Sequence, residues 1–196
     1  MTKVIGITGL IGSGKSVVVR TWSKLYDVPT FDSDQQAKEI YKIPRVRQLV
    51  INKLGIDPIQ ADNSLNKQEL RNIFAHPEQR KALEEIVHSN LNLEFQKWVK
   101  RQSAPMVLLE SAILFTSGYN KGCHFTVSVG ANQETRQKRV MQRDADMSEA
   151  QFQKIVEIQW EEAILQSNGS DFIIDNNGSQ SLIQQVEQIH QKILLH

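Results

Sequence analysis

The sequence contains a single cysteine, Cys123, among its 196 residues, so no disulfide can form within the chain. This scarcity favours an intracellular setting, because secreted proteins commonly rely on paired cysteines. A lone cysteine is more often a small apolar filler than a reactive thiol, and both interpretations stay open for Cys123. Since 40% of the residues are hydrophobic, we expect the fold to be stabilised by a buried core.

The sequence also lacks long apolar runs and any excess of one charge. No stretch of 18 apolar residues exists, and the first residues form a strand pattern without the cationic and apolar parts of a cleavable signal. The 23 Lys and Arg residues are balanced by 22 Asp and Glu residues, which gives no electrostatic case for binding nucleic acid or an anionic membrane. We therefore expect a cytoplasmic protein with small-molecule partners; the sequence carries no signal for its oligomeric state.

Five short apolar runs alternate with helical patterns along the chain. Near-continuous apolar strands of this kind are typical of a parallel sheet that is covered by helices on both faces. The sequence therefore predicts an α/β fold, a three-layer α/β/α sandwich with a parallel five-stranded sheet. The predicted strands are residues 4–8, 28–31, 106–109, 125–129 and 172–174.

Two longer helical stretches interrupt this alternation. Residues 33–103 are too many for a simple crossover between parallel strands, so we predict a helical insertion beside the sheet that binds a second substrate. Residues 144–167 form a polar helical stretch and are a candidate lid. The nucleotide-binding core is then predicted over residues 1–32, 104–143 and 168–196. Ser179 is a plausible N-cap for the last helix.

Residues 9–16 match the complete phosphate-binding pattern GxxxxGK[ST], between an apolar strand and a helical pattern. Its glycines allow backbone N–H groups to surround phosphate oxygens, and the following helix adds its positive N-terminal end. Lys15 can reach the β- and γ-phosphates, and the Ser16 hydroxyl can ligate Mg²⁺. The sequence therefore predicts a P-loop NTPase fold that binds ATP and Mg²⁺, through Gly9, Leu10, Ile11, Gly12, Ser13, Gly14, Lys15, Ser16 and Val17.

Three carboxylates follow predicted strands or lie close to their ends. Asp32 follows the second strand and Glu110 the third, and ligands of open parallel sheets bind at the carboxyl ends of strands. Asp32 can accept a proton from an attacking hydroxyl or help to hold Mg²⁺, whereas Glu110 can stand in the metal's outer shell. The alternatives are a turn or helix-cap residue at Asp32, and a solvent-facing charge at Glu110. Asp34 is an equally good helix cap.

Four further polar residues are candidates for the site. Arg139 and Arg143 lie four residues apart, so they share a helix face that could contact the transferring phosphoryl group; a solvated basic face is the alternative. Asn176 follows the last strand and could border the adenine, although a turn built from turn-forming residues is the favoured interpretation. His88 lies in the helical insertion, where a lone histidine is more often structural than functional.

The order of these motifs resembles the dephospho-CoA kinase family from end to end. The resemblance covers the phosphate-loop opening, an Asp-x-Asp after the second strand, a helical segment, a basic helix followed by a glutamine, and the final strand with its loop. The segments that carry it are residues 6–16, 31–34, 70–88, 138–159 and 174–179.

This resemblance implies transfer of the γ-phosphoryl group of ATP to the ribose 3′-hydroxyl of dephospho-CoA, which is the last step of coenzyme A synthesis. It implies that Asp32 is the base and that Lys15 and Arg139 take part in catalysis. The residues implied on the acceptor side are Asp32, Asp34, His88 and Leu114. Those implied on the nucleotide side are the phosphate loop, Arg139, Arg143 and Asn176, with Ser16 as the metal ligand.

Three segments differ from the family pattern. The segment from Glu110 to Thr116 lacks the family's proline and closing glutamate, and Ser89 replaces the proline after His88. Beyond Gln159, Trp160-Glu161-Glu162 stands where an arginine is often found. Two other functions are carried as alternatives: a nucleoside monophosphate kinase, whose insertion would read a base, and a nucleotide-binding switch without turnover.

Overall fold

The computed structural model describes residues 2–195. Its single sheet has five parallel strands in the order β2-β3-β1-β4-β5, with β1 in the centre. This arrangement confirms the predicted α/β fold class. The strands are β1 (Lys3–Thr8), β2 (Thr30–Asp32), β3 (Met106–Glu110), β4 (Phe125–Gly130) and β5 (Phe172–Asp175).

The described part of the chain has nine α-helices, eight between strands and one after the last strand, with short 3₁₀ turns at Ile40–Lys42 and Tyr119–Gly122. The helices are α1 (Lys15–Tyr26), α2 (Ser33–Glu39), α3 (Pro44–Leu54), α4 (Lys67–Phe74), α5 (Pro77–Lys100), α6 (Gln133–Arg143), α7 (Glu149–Ile158), α8 (Trp160–Gly169) and α9 (Leu182–Leu194). Among the helices of residues 2–195, none combines the length and apolar character needed to cross a membrane.

The N-cap of α9 is Ser181, so the prediction of Ser179 is wrong. The Ser181 hydroxyl accepts a hydrogen bond from the Gln184 amide, as an N-cap side chain does. Ser179 lies before the first helical turn, and its hydroxyl donates to Asp175 Oδ2 at 3.4 Å instead. Both serines precede the helix in the sequence. Only Ser181 stands directly before the first helical residue, Leu182, where its hydroxyl can reach the Gln184 amide.

The chain divides into two compact units. The first contains the described residues up to Asp32 and those from Gln102 onward, and so includes the whole sheet. Its core is built on β1, whose Ile5 and Ile7 are fully buried, with Trp22 of α1 in the same cluster. A central strand covered on both faces must be apolar along its length, which explains the continuous apolar pattern of β1 and β3.

The second unit comprises Ser33–Arg101 and contains helices α2 to α5, with the 3₁₀ turn at Ile40–Lys42 and none of the strands of the sheet. Val46 and Val50 of α3 are fully buried, and α5 contributes Leu83, Ile86 and Leu91 to the buried set. The spacing of these residues is that of helix faces that pack on one another. The interpretation of this unit as an acceptor domain, and of residues 144–167 as a lid, stays a prediction.

Cys123 lies in the first unit as a protonated thiol. Burial, with a smaller contribution from Asp171, raises its pKa to about 12. Its Sγ donates to the Tyr119 carbonyl oxygen at 3.4 Å. Because the thiolate is the reactive form of cysteine, these observations favour the filler interpretation.

Candidate active site

The phosphate loop connects the end of β1 to the start of α1. Gly12 and Gly14 have φ angles of +76° and +90°, a region that residues with a Cβ rarely adopt. A Cβ at Gly12 would also collide with the backbone carbonyl of Arg136, and one at Gly14 with the side-chain amide of Asn176. The glycines are therefore required both by the turn and by neighbours that pack against its outer side.

Glu110 lies directly against the end of the loop. The Ser16 hydroxyl donates to Glu110 Oε1 at 2.6 Å, and Lys15 Nζ lies 3.5 Å from the same oxygen. The Glu110 residue is buried, with 6% of its surface exposed, so it is not the solvent-facing charge that the sequence left open. A buried carboxylate beside the hydroxyl and ammonium of the loop fits the outer shell of a phosphate-bound metal ion.

Asp32 stands next to Glu110 on the neighbouring strand. The parallel register of β2 and β3 pairs Asp32 with Glu110, which places the two Cα atoms about 4.8 Å apart with both side chains on one face of the sheet. Glu110 in turn pairs with Ile7 of β1, two residues before the phosphate loop begins. The strand order therefore brings Asp32 to the same edge as Lys15 and Ser16, although they are distant in sequence.

These groups suit a magnesium ion. Mg²⁺ prefers hard oxygen ligands and commonly retains several waters, so one or two protein oxygens and the phosphates are sufficient. The Ser16 hydroxyl and the carboxylates of Glu110 and Asp32 provide such oxygens at the carboxyl edge of the sheet. The donor set at this edge therefore fits the ion that the phosphate loop implies.

Arg139 of α6 holds the phosphate loop from its outer side. Its Nη1 donates to the carbonyls of Gly12 and Ser13 at 3.5 and 3.4 Å, and its Nη2 donates to the Asn176 carbonyl at 2.8 Å. The Asn176 side chain donates to the Ser13 carbonyl at 2.7 Å and is buried. Both residues thus contact the loop backbone, and their contact with a nucleotide stays a prediction.

Arg143 differs from Arg139, although both lie on α6. Its side chain is exposed and pairs with Asp144 through two hydrogen bonds of 3.0 and 2.6 Å. The hydrogen bonds to Asp144 raise the pKa of Arg143 and lower that of Asp144. An exposed pair between neighbours in sequence contributes little energy. The two arginines therefore differ in environment, although the helical spacing places both on one face: Arg139 contacts the phosphate loop and Arg143 pairs with Asp144 at the surface.

Other predicted residues occupy different environments. The Val17 amide donates to the Gly14 carbonyl at 2.9 Å, within the first turn of α1. Leu114 is fully buried and lies against Gly6, so we expect it to shape the acceptor side by packing. In the second unit, Asp34 is exposed in the first turn of α2, inside the helix rather than at its N-cap. Burial lowers the pKa of the half-buried His88, while Glu84 acts in the opposite direction.

Arg136 was not among the predicted site residues. Its Nη1 donates to the Ile11 carbonyl at 3.3 Å, while the Ile11 amide donates to Gln159 Oε1 at 2.9 Å. The Phe152 ring centre lies 6.0 Å from the buried guanidinium of Arg136. The available signal was helical spacing, because Arg136 precedes the fully buried Val140 by four residues and therefore shares its face.

A phosphate loop between the central strand of a parallel sheet and the next helix, with the buried carboxylate of Glu110 beside it, defines a P-loop nucleotide-binding protein. The dephospho-CoA kinase family profile matches residues 3–181. The chain belongs to this family, and it is therefore an ATP-dependent kinase.

Individual relatives agree with this assignment. Dephospho-CoA kinase from Porphyromonas gingivalis is 34% identical over 94% of this chain and 91% of its own length. The Acinetobacter baylyi enzyme of the same name is 31% identical over 98% of this chain and 99% of its own length. Among solved structures, TT1252 from Thermus thermophilus is 29% identical with a TM-score of 0.78, over 99% of this chain and 97% of that one.

Proposed function

We propose that this kinase transfers the γ-phosphoryl group of ATP to the ribose 3′-hydroxyl of dephospho-CoA, giving coenzyme A and ADP in the cytoplasm. Family membership over nearly the whole chain is the observation that carries this acceptor. The placement of Asp32 beside Glu110 supports turnover rather than binding alone, because a carboxylate next to the phosphate loop can receive a proton.

Each residue at the sheet edge then has a defined role. Lys15 neutralises charge on the β- and γ-phosphate oxygens, and Asp32 accepts the proton of the 3′-hydroxyl. Ser16 holds Mg²⁺, with Glu110 orienting Ser16 through its 2.6 Å hydrogen bond. Bound Mg²⁺ supplies further positive charge to the phosphate oxygens. Arg139 stiffens the loop and covers the transferring group.

Asp34 and His88 are assigned to recognition of dephospho-CoA, and Arg143 and Asn176 to the nucleotide. These assignments come from the family resemblance. The same resemblance assigns the buried Leu114 to the acceptor side, where it would act by packing. We propose that neither a nucleic acid nor a membrane takes part in the reaction.

Residues 144–167 are proposed to close over the bound substrates. Gln159, between α7 and α8, contacts the Ile11 amide, so this segment already touches the phosphate loop. Closure would exclude water, which could otherwise hydrolyse ATP. Limited proteolysis tests this: protection of residues 144–167 should rise only when an ATP analogue and dephospho-CoA are both present. Unchanged protection would contradict the lid.

An ADP-release assay across acceptors tests the function. Turnover with dephospho-CoA, with the new phosphate located on the 3′-oxygen by NMR, supports the proposal. Turnover with a nucleoside monophosphate instead would favour the alternative kinase, and tight ATP binding without turnover would favour a switch.

Lys15→Ala provides the matched negative control for this assay. Loss of the ammonium should lower turnover about 10²-fold or more, because it acts on the transferring phosphate. Circular dichroism should show an unchanged fold. Wild-type rates in the folded variant would remove the assignment of this site.

A further inference from the structure

Glu162 is a buried carboxylate in the first turn of α8. Only 2% of the residue is exposed. Its Oε1 accepts hydrogen bonds from the Thr8 hydroxyl at 3.2 Å and the Phe115 amide at 3.1 Å. Its Oε2 accepts from the Thr116 amide at 2.8 Å and the Thr116 hydroxyl at 2.9 Å. All four donors are neutral, and each oxygen accepts two of them, which compensates for removing the charge from water.

These donors belong to two separate parts of the first unit. Thr8 is the last residue of β1 and directly precedes the phosphate loop. Phe115 and Thr116 lie in the segment that follows β3, residues 111–118, which we call the β3 loop. Glu162 therefore joins α8, the start of the phosphate loop and the β3 loop through one side chain.

The β3 loop begins at the place where an acceptor must bind. The strand order places β3 between β2, which ends in Asp32, and β1, which leads to the phosphate loop. An acceptor hydroxyl has to lie between its base and the γ-phosphate. The segment that leaves the carboxyl end of β3 consequently starts between the two groups that the acceptor must reach.

The phosphate loop has anchors that do not involve Glu162. Arg139 and Asn176 bind the carbonyl of Ser13, and Gln159 accepts from the amide of Ile11. Loss of the Glu162 contacts would therefore free the Phe115–Thr116 part of the β3 loop while leaving most contacts of the phosphate loop in place. Loss of the Glu162 contacts should therefore weaken binding of the acceptor more than binding of ATP.

We infer that Glu162 is a positioning residue for the acceptor: its carboxylate fixes the β3 loop against the end of β1 and thereby orients dephospho-CoA toward Asp32. The inference rests on the proposed function, because it names the acceptor of that reaction. Glu162 does not touch the reacting atoms. Its effect is on the geometry in which the hydroxyl approaches the phosphate.

Glu162→Gln tests this inference, because it retains the shape but replaces one acceptor oxygen with an NH₂ group that faces other donors. We expect KM for dephospho-CoA to rise about tenfold or more, with KM for ATP changed less than about twofold. Glu161→Gln is the matched control, since Glu161 is the preceding residue of α8 and is exposed. It should behave as wild type.

A milder pair of variants at Thr116 keeps the test valid if Glu162→Gln folds poorly. Thr116 is exposed, so Thr116→Val should fold while losing the hydroxyl donor. Thr116→Ser retains a hydroxyl that can donate to Glu162. We expect Val, but not Ser, to raise the acceptor KM selectively. Equal KM changes for both substrates, equal effects of Val and Ser, or no change in any variant would overturn the inference. Absence of wild-type turnover with dephospho-CoA would instead refute the proposed function.

Discussion

The Ser16 hydroxyl donates a 2.6 Å hydrogen bond to Oε1 of Glu110, linking the first turn of α1 to the end of β3. The two residues are 94 positions apart in the sequence, yet both belong to the edge where the phosphate loop lies. A hydroxyl whose orientation is fixed by a buried carboxylate would be held ready to bind the proposed Mg²⁺. The link between Ser16 and Glu110 therefore connects the proposed metal site to the strand order of the sheet.

Glu110→Gln should weaken the response to Mg²⁺. The amide can still accept from Ser16, but the negative charge beside the metal site is lost. Outer-shell changes of this kind cost about 10- to 100-fold in metal affinity or activity. Activity titrated against Mg²⁺ should show a higher half-saturation value. Glu134→Gln, at an exposed position of α6, is the control and should leave the titration unchanged; an equal titration for Glu110→Gln would contradict the assignment.

Asp32→Asn and Asp34→Asn should have unequal effects. The first substitution keeps the shape of the side chain but removes its capacity to receive a proton, so kcat should fall about 10²-fold or more with little change in ATP affinity. Asp34 is exposed in the first turn of α2, and its replacement should have the smaller effect. Steady-state kinetics and ATP titration measure both quantities. Small, equal losses would mean that neither aspartate is the base.

Arg139→Lys should lower kcat even though the charge is conserved. The arginine fork reaches three carbonyl oxygens, and a single lysine ammonium cannot reproduce its planar geometry. Arg143→Lys is the control, because Arg143 is exposed and an exposed pair is worth only about 0–1 kcal/mol. Single-turnover rates should separate the two variants. A kinetically silent Arg139→Lys would contradict the proposed role of Arg139 in phosphoryl transfer.

Stability should decrease as the pH falls below about 6.5, partly because of His190. The Trp22 indole donates to His190 Nδ1 at 3.1 Å, and the Tyr26 ring stacks on the imidazole with centroids 3.6 Å apart. Burial lowers the pKa of His190 in the folded state. The stability is therefore complete above the unfolded pKa, and it is lost as the pH falls from there toward the folded pKa, with a limiting slope of about 1.4 kcal/mol per pH unit.

His190→Asn should flatten this dependence, because asparagine retains an acceptor near Nδ1 but does not titrate. Urea unfolding at pH 7.5 and 5.0 gives the two free energies, and the difference between them should shrink in the variant. His76→Asn removes a histidine at an exposed position and serves as the control. If both variants keep the wild-type pH dependence, His190 is not its source.

The sequence by itself determined the parallel strands, the phosphate loop and the family. These features are local: an apolar run specifies a buried strand, and glycines at fixed positions specify a backbone that residues with a Cβ rarely adopt. Equal spacing places Arg139 and Arg143 on one helix face, and the adjacent Asp144, a local partner for Arg143, is what favoured Arg139 in the sequence. The sequence also predicted Ser179 as the N-cap of α9, where the structure has Ser181.

The tertiary structure decided which distant side chains meet. Glu162 stands in a polar helical stretch and reads as a surface charge, yet it is buried because the Thr8 hydroxyl and the amides of Phe115 and Thr116 converge on it. Asp32 and Glu110 become neighbours only through the register of β2 and β3. Strand order and register depend on the packing of the whole sheet, so no segment of sequence contains them, and they place the proposed catalytic groups beside the phosphate loop.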